Sequence, residues 1–251
     1  EDMQEVKNRC LFLHVSIFGQ SHKAPDLPHD FPSLEKIGLG LVTVLDQLQI
    51  KTVVVMGEGA GANIALRFGM FHPTRTAGLV LVQCTANVAN ISMMEKLMTM
   101  IQGPAAMVNE NEPQLNHKNI GMYAEAYKNR TSCAEDINKR INFDVLLVNG
   151  CNTDFYEESL EIYSKIKPGL ASIIKIDDIT DPLREAPEKV ADPLILFVQG
   201  LGWMPTAKRK VSRDLEKEKS MEEMTDRPQL TRRISMEQYD TPNLRKYSQE
   251  H

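Results

Sequence analysis

Residues 57–61, Gly-Glu-Gly-Ala-Gly, follow a β-branched apolar run at 52–56 (TVVVM) and open a stretch with helical spacing. A glycine cluster between a strand and a helix serves two chemistries. One is dinucleotide binding, where GxGxxG or GxGxxA lets a pyrophosphate rest on a helix N-terminus. Gly57, Gly59 and Ala62 satisfy GxGxxA. That fingerprint also needs a carboxylate about 20 residues on, at the end of the next strand, to hold a ribose. Here the next apolar run ends in Val82-Gln83-Cys84, with no carboxylate near. The other chemistry is the nucleophile elbow, GxSxG, a tight turn that presents a serine. Gly57 and Gly61 supply its flanking glycines, and Gly59 stands at the nucleophile position. Glycine has nothing to attack with, yet it relieves the positive-φ strain a serine would bear there. The pattern keeps an elbow's geometry without its nucleophile.

The remaining triad members can be sought by chain order, serine, acid, histidine. An acid is expected after the apolar run at 143–148, and Asp154 fits. A histidine is expected after the run at 172–176, but residues 177–182 read DDITDP, and none occurs between His117 and His251. The base that would accept and return a proton near neutral pH is missing from its place. Cys84, closing a strand, is an unorthodox nucleophile, although a buried structural thiol is the commoner case. Glu58 and Asp154 form a carboxylate pair only if folding brings them together. The glycine cluster as a small-molecule or nucleotide site remains a third reading. Cys10, Cys84, Cys133 and Cys151 show no CxxC spacing, and His14, His22, His29 and His72 show no ligand spacing. No catalytic residue, cofactor or metal is therefore assigned, and the thiols read as reduced in a cytoplasmic protein.

The elements that must position these residues alternate. Residues 10–17 (CLFLHVSI), 52–56, 77–82, 143–148 and 172–176 read as strands, the first buried on both faces. Residues 34–48, capped by Ser33, and segments running to about Phe71, at 157–166 and at 186–199 read as helices. Strand alternating with helix implies a mostly parallel sheet with helices on both faces. Residues 85–142 interrupt the alternation with a Met-rich helical insertion, a packing element or a lid. The 251 residues carry a net charge of −5, distributed as −7 over 1–202 and +2 over 203–251. An acidic body argues against a nucleic-acid platform, which needs a concentrated basic face. No apolar run approaches the roughly 18 residues of a membrane span.

Several stretches together resemble the N-myc downstream-regulated (NDRG) family. They are EDMQEV (1–6), LHVSIFG (13–19), FPSLEKI (31–37), GEGAGANI (57–64), HPTRTAGLVLV (72–82) and FVQGLGWM (197–204). The resemblance covers roughly residues 1–205 and implies an α/β-hydrolase-like fold without the hydrolytic signature, here a domain over residues 1–202 into which the 85–142 stretch is inserted as a lid. It also implies a non-catalytic signalling or adaptor role in differentiation, growth control and stress response, with protein partners and a phosphorylated tail. Family members carry additional N-terminal sequence that supplies the first strands, so an N-terminally truncated sheet with an exposed edge is expected.

Residues 203–251 mix charges without a periodic apolar face, a composition that predicts disorder. Arg232 and Arg233 precede Ser235 at −3 and −2, the pattern read by basophilic kinases. Lys208-Arg209-Lys210 precedes Ser212, and Thr241-Pro242 suits a proline-directed kinase. Each phosphate adds about −1.5 to −2 charge, so phosphates at two or more of these sites turn the +2 tail acidic.

Overall fold

A computed structural model describes residues 7–8, 10–28, 30–88, 116–151, 153 and 155–203. Its centre is a four-stranded parallel sheet in the order β1-β2-β3-β4. The strands are β1 (Val53–Glu58), β2 (Thr76–Val82), β3 (Asp144–Gly150) and β4 (Ala171–Ile176). Val55 pairs with Leu79, Leu79 with Val145, and Val145 with Ala171, so one register runs across the sheet. The helices are α1 (Leu34–Gly40), α2 (Val42–Gln47), α3 (Ala60–Phe71), α4 (His117–Lys128), α5 (Ile137–Arg140), α6 (Phe155–Lys165), α7 (Pro182–Glu185) and α8 (Pro187–Gly200).

The apolar runs at 77–82 and 143–148 become the central strands because both their faces are covered. Leu79, Leu81, Val145 and Leu147 pack with Leu66 and Met70 of α3, Ile137 of α5 and Ile162 of α6. Val80, Val82, Leu146 and Val148 face the other way, onto Val190, Leu194 and Val198 of α8. A third cluster joins Leu34 and Ile37 of α1, Ile64 of α3 and Tyr127 of α4. Local signals fix the helix starts. Ser33 Oγ accepts from the Lys36 amide at 3.3 Å, and Asn116 Oδ1 from the Asn119 amide at 3.1 Å. Asp181 Oδ1 accepts from the amides of Leu183 and Arg184, with Pro182 in the first turn of α7. Each such cap is worth about 1 kcal/mol. The 34–48 stretch is divided at Leu41, and only Leu34, Ile37 and Gly38 of α1 and Leu45 of α2 are buried.

Residues 10–17 correct the sequence expectation. They form no strand, and residues 11–16 are exposed, Leu11 at 95%. Cys10 packs in the cluster on the α8 face of the sheet, while Ile17 packs in the α1–α3–α4 cluster. Among the described residues, no ladder joins the segment to β1. Apolar composition alone does not make a strand, because its backbone amides and carbonyls need a neighbour in register. Among the described residues, β1 pairs on one side only. Most of the proposed 85–142 lid lies outside the described residues, and its described part is α4, α5 and their connections. No described helix is long and apolar enough to cross a membrane.

Leu81 is wholly buried between α3 and β3. Leu81→Ala is expected to lower unfolding free energy by about 2–5 kcal/mol. Urea denaturation of the 251-residue chain measures this, and a loss below 1 kcal/mol would contradict the packing described.

Candidate functional site at the strand-to-helix turn

The end of β1 turns into α3 at Gly59, whose backbone adopts φ 53° and ψ −115°. The left-handed φ is the feature that favours glycine. The turn is held by the Gly59 amide donating to Val82 O at 2.9 Å and by the Asn63 amide donating to Gly59 O at 3.1 Å. Gly57 is required for a different reason. A Cβ there would lie 2.4 Å from Gly61 O and 2.7 Å from Ala62 N, so the strand end and the first turn of α3 could not meet. A Cβ on Gly59 or Gly61 would meet nothing within 4 Å. Position 59 therefore has room for a side chain and a backbone that disfavours one.

Around this turn the tertiary structure gathers the ends of the other strands. Gln83, with φ 51°, turns the end of β2, and its side-chain Nε2 donates to Thr180 O. The loop after β4 is also tied to β3, with the Cys151 amide donating to Ile176 O at 3.0 Å and the Asp178 amide to Cys151 Sγ at 3.1 Å. The segment where a histidine was sought thus lies beside the turn, as DDITDP. Glu58 faces this loop. Burial, and then the neighbouring Asp181, push its carboxyl above the usual range, against the opposing pull of Arg184. Asp154 lies outside the described residues, as do Ser212, Ser235 and Thr241.

Cys84 is wholly buried, and its thiol is pushed far up by burial, with Cys133 adding to the effect. A thiol kept protonated in the core is unsuited to nucleophilic attack, which argues against the relocated-nucleophile reading. His72 Nε2 sits 2.8 Å from Leu39 O and its ring packs on Phe68, a structural contact between α1 and α3. His14 and His22 are exposed, and His29 is outside the described residues. Among the described residues, no three His, Cys, Asp or Glu side chains converge as a metal site.

Sequence reasoning missed a buried polar network behind the turn. Asn63 Nδ2 donates to Thr85 O at 2.7 Å, and Arg67 Nε to Asn63 Oδ1 at 2.9 Å. Arg67 also reaches Thr131 O, tying α3 to the chain beyond α4. Arg130 lies over the Tyr127 ring at 3.9 Å and donates to Tyr127 O at 2.7 Å. Thr85 Oγ1 in turn donates to Glu158 Oε2 at 3.0 Å. Burial pushes the Tyr127 hydroxyl up to about 12, so this phenol remains neutral. Asn63 and Arg67, four residues apart in an otherwise apolar helix, were the available signal.

Two expectations follow from the turn. Gly57→Ala should destabilise the chain strongly, whereas Gly61→Ala should be neutral or stabilising by up to about 1 kcal/mol. Equal denaturation midpoints for the two variants would contradict the close approach. Because Glu58 has a raised carboxyl in the folded chain, its charged form weakens the fold at neutral pH. Glu58→Gln should therefore raise Tm at pH 7, with the gain vanishing below about pH 4, where the unfolded carboxyl is also protonated. A Tm lowered at both pH values would overturn that assignment.

The Ndr family profile matches residues 1–111 and 105–205. A Caenorhabditis elegans relative, uncharacterized protein ZK1073.1, is 33% identical over 96% of this chain and 81% of its own length. Xenopus laevis NDRG3 and NDRG1-B are 25% and 28% identical over 82% of this chain. The chain spans 64% and 60% of those two proteins. Among solved structures, a Thermogutta terrifontis esterase is 15% identical with a TM-score of 0.59 over 73% of this chain and 78% of that one. A Desulfitobacterium hafniense alpha/beta hydrolase family protein, also 15% identical, gives 0.61 over 78% and 88%. With a parallel sheet, an elbow-like turn and a family profile spanning most of its length, this chain has the α/β-hydrolase fold and belongs to the Ndr family.

Proposed function

We propose that this chain is a non-catalytic adaptor built on an α/β-hydrolase fold, acting through protein partners in cytoplasmic signalling. The observation that carries this reading is the Gly59 turn, which keeps a left-handed backbone while offering no attacking group. Gly57, Gly59 and Gly61 are read as a vestigial elbow, with Asp154 as a vestigial acid. The missing histidine supports the same reading, since an activated serine needs a base to take its proton. A fold alone does not carry an activity, and function is argued from the groups at the site. Roles in differentiation, growth control and stress response come from the family resemblance and belong to this proposal. So does the tail at 203–251, with Ser235, Ser212 and Thr241 as kinase acceptors whose phosphates change its charge and its docking.

The test is hydrolysis of short-chain p-nitrophenyl esters by the 251-residue chain and its Gly59→Ser and Cys84→Ala variants. The expected result is no turnover above buffer for any of them, because restoring a serine restores no base. Turnover by the unmodified chain that disappears in Cys84→Ala would replace the adaptor reading with a thiol hydrolase. For the tail, Ser235→Ala and Ser235→Glu chains are expected to capture protein partners unequally, and equal capture would remove the switch.

A further inference from the structure

The chain enters residues 89–115 from the segment 84–88 and, after α4, returns to the sheet through residues 131–133. These two segments are held together, and Ser132 is at the contact. Its hydroxyl donates to Asn87 Oδ1 at 3.2 Å and accepts from the Ala134 amide at 3.3 Å. One residue on, the Cys133 amide donates to Ala86 O at 2.9 Å. Asn87 is held from its other side by carboxylates, its Nδ2 donating to Glu161 Oε2 at 2.6 Å and Glu158 Oε2 at 3.3 Å. Ser132 itself is exposed, on a stretch between α4 and the 3₁₀ turn at Ala134–Asp136.

Two properties of this serine point the same way. Glu135 and Asp136 stand at +3 and +4, the carboxylate spacing that acidophilic serine kinases read, and the Glu135 side chain is 91% exposed. The surroundings are also set against a second anion. Glu158 and Glu161 lie behind Asn87, and Glu135 and Asp136 follow in sequence. Lys165 is already engaged by Glu135 at 2.8 Å and Glu161 at 3.1 Å, and Arg140 faces Asp136 at 3.9 Å. The buried guanidiniums lie on the inner side, where Arg67 is taken up by Asn63 and Thr131, and Arg130 by Tyr127 and Thr85.

We propose that Ser132 is a phosphoryl-acceptor site for an acidophilic serine kinase, and that phosphate there parts residues 131–133 from residues 84–87. In the transfer, Ser132 Oγ forms a bond to the γ-phosphorus of ATP as the bond to the bridging oxygen breaks. ADP leaves, and the hydroxyl proton passes to the kinase's base. The product has lost the proton that Ser132 gives to Asn87 and carries about −1.5 to −2 charge next to Asn87, which is already committed to two carboxylates. Like-charge repulsion then opposes the contact that the neutral hydroxyl makes. The segments that part are the two that flank the insertion. This inference stands independently of the adaptor reading and holds equally for an enzyme.

The experiment treats the 251-residue chain with a casein-type acidophilic kinase and ATP, maps phosphate by tandem mass spectrometry, and follows amide exchange over 84–88 and 130–134. Phosphate is expected on Ser132 and absent from Ser132→Ala. Exchange at the Cys133 amide is expected to rise about tenfold in the phosphorylated chain and in Ser132→Glu, with Leu81 and Leu147 still protected. Glu158→Gln/Glu161→Gln should blunt that rise, since two of the repelling charges are gone. Absence of phosphate at Ser132 overturns the proposal. So does unchanged or slowed exchange after phosphorylation, which would mean that Arg67 captures the phosphate and tightens the contact.

Discussion

The approach of Gly61 to Gly57 is the contact on which the rest of the architecture depends. Only a residue without Cβ lets the end of β1 pass so close to the first turn of α3. That approach lays α3 over the sheet, where Leu66 and Met70 cover Leu79 and Leu81. It also sets the chain's direction at Gly59, where the φ of 53° turns the backbone from strand to helix within one residue. In a hydrolase the same turn is strained by the serine it presents. Glycine at the apex of this turn adopts the left-handed backbone without that strain.

Behind the turn, the fold buries a cluster of polar side chains, Asn63, Arg67, Thr85 and Arg130. Arg67 and Arg130 are nearly inaccessible, and their hydrogen bonds run mainly to carbonyls, an amide and hydroxyls. Burying a guanidinium is costly unless its donors are satisfied. Arg130 Nε has no partner among the described residues, so part of that cost is borne uncompensated. The network ties α3, the end of β2, the start of α6 and the stretch after α4 into one hub around Thr85. An insertion can vary in length and sequence while both its ends stay fixed to the sheet by such a hub.

Much of the fold was legible in the sequence where a single local signal determined the outcome. The β-branched and apolar runs at 52–56, 77–82, 143–148 and 172–176 mark strands, and continuous apolar segments suit the two central ones, which are buried on both faces. Ser33, Pro182 and Pro187 mark helix starts through bonds to residues at most three positions away, or through a fixed φ. Residues 10–17 have the same composition and form no strand. Their composition records a tendency to be buried, whereas a ladder needs a second strand that local sequence does not specify.

By itself the sequence determined which side chains stand at the turn and in the segment after β4. Gly59 has no side-chain atom to attack with and residues 177–182 contain no imidazole, and both facts are read directly from the chain. Tertiary structure alone decided which groups meet. It put the loop after β4 beside the end of β2 through Gln83 and Thr180, and it enclosed Cys84 where its thiol stays protonated. It also set Ser132 against Asn87, 45 positions away in the chain. Those pairings follow from crossovers that bring distant strand ends to one edge of a parallel sheet, and a crossover leaves no mark in either partner's local sequence.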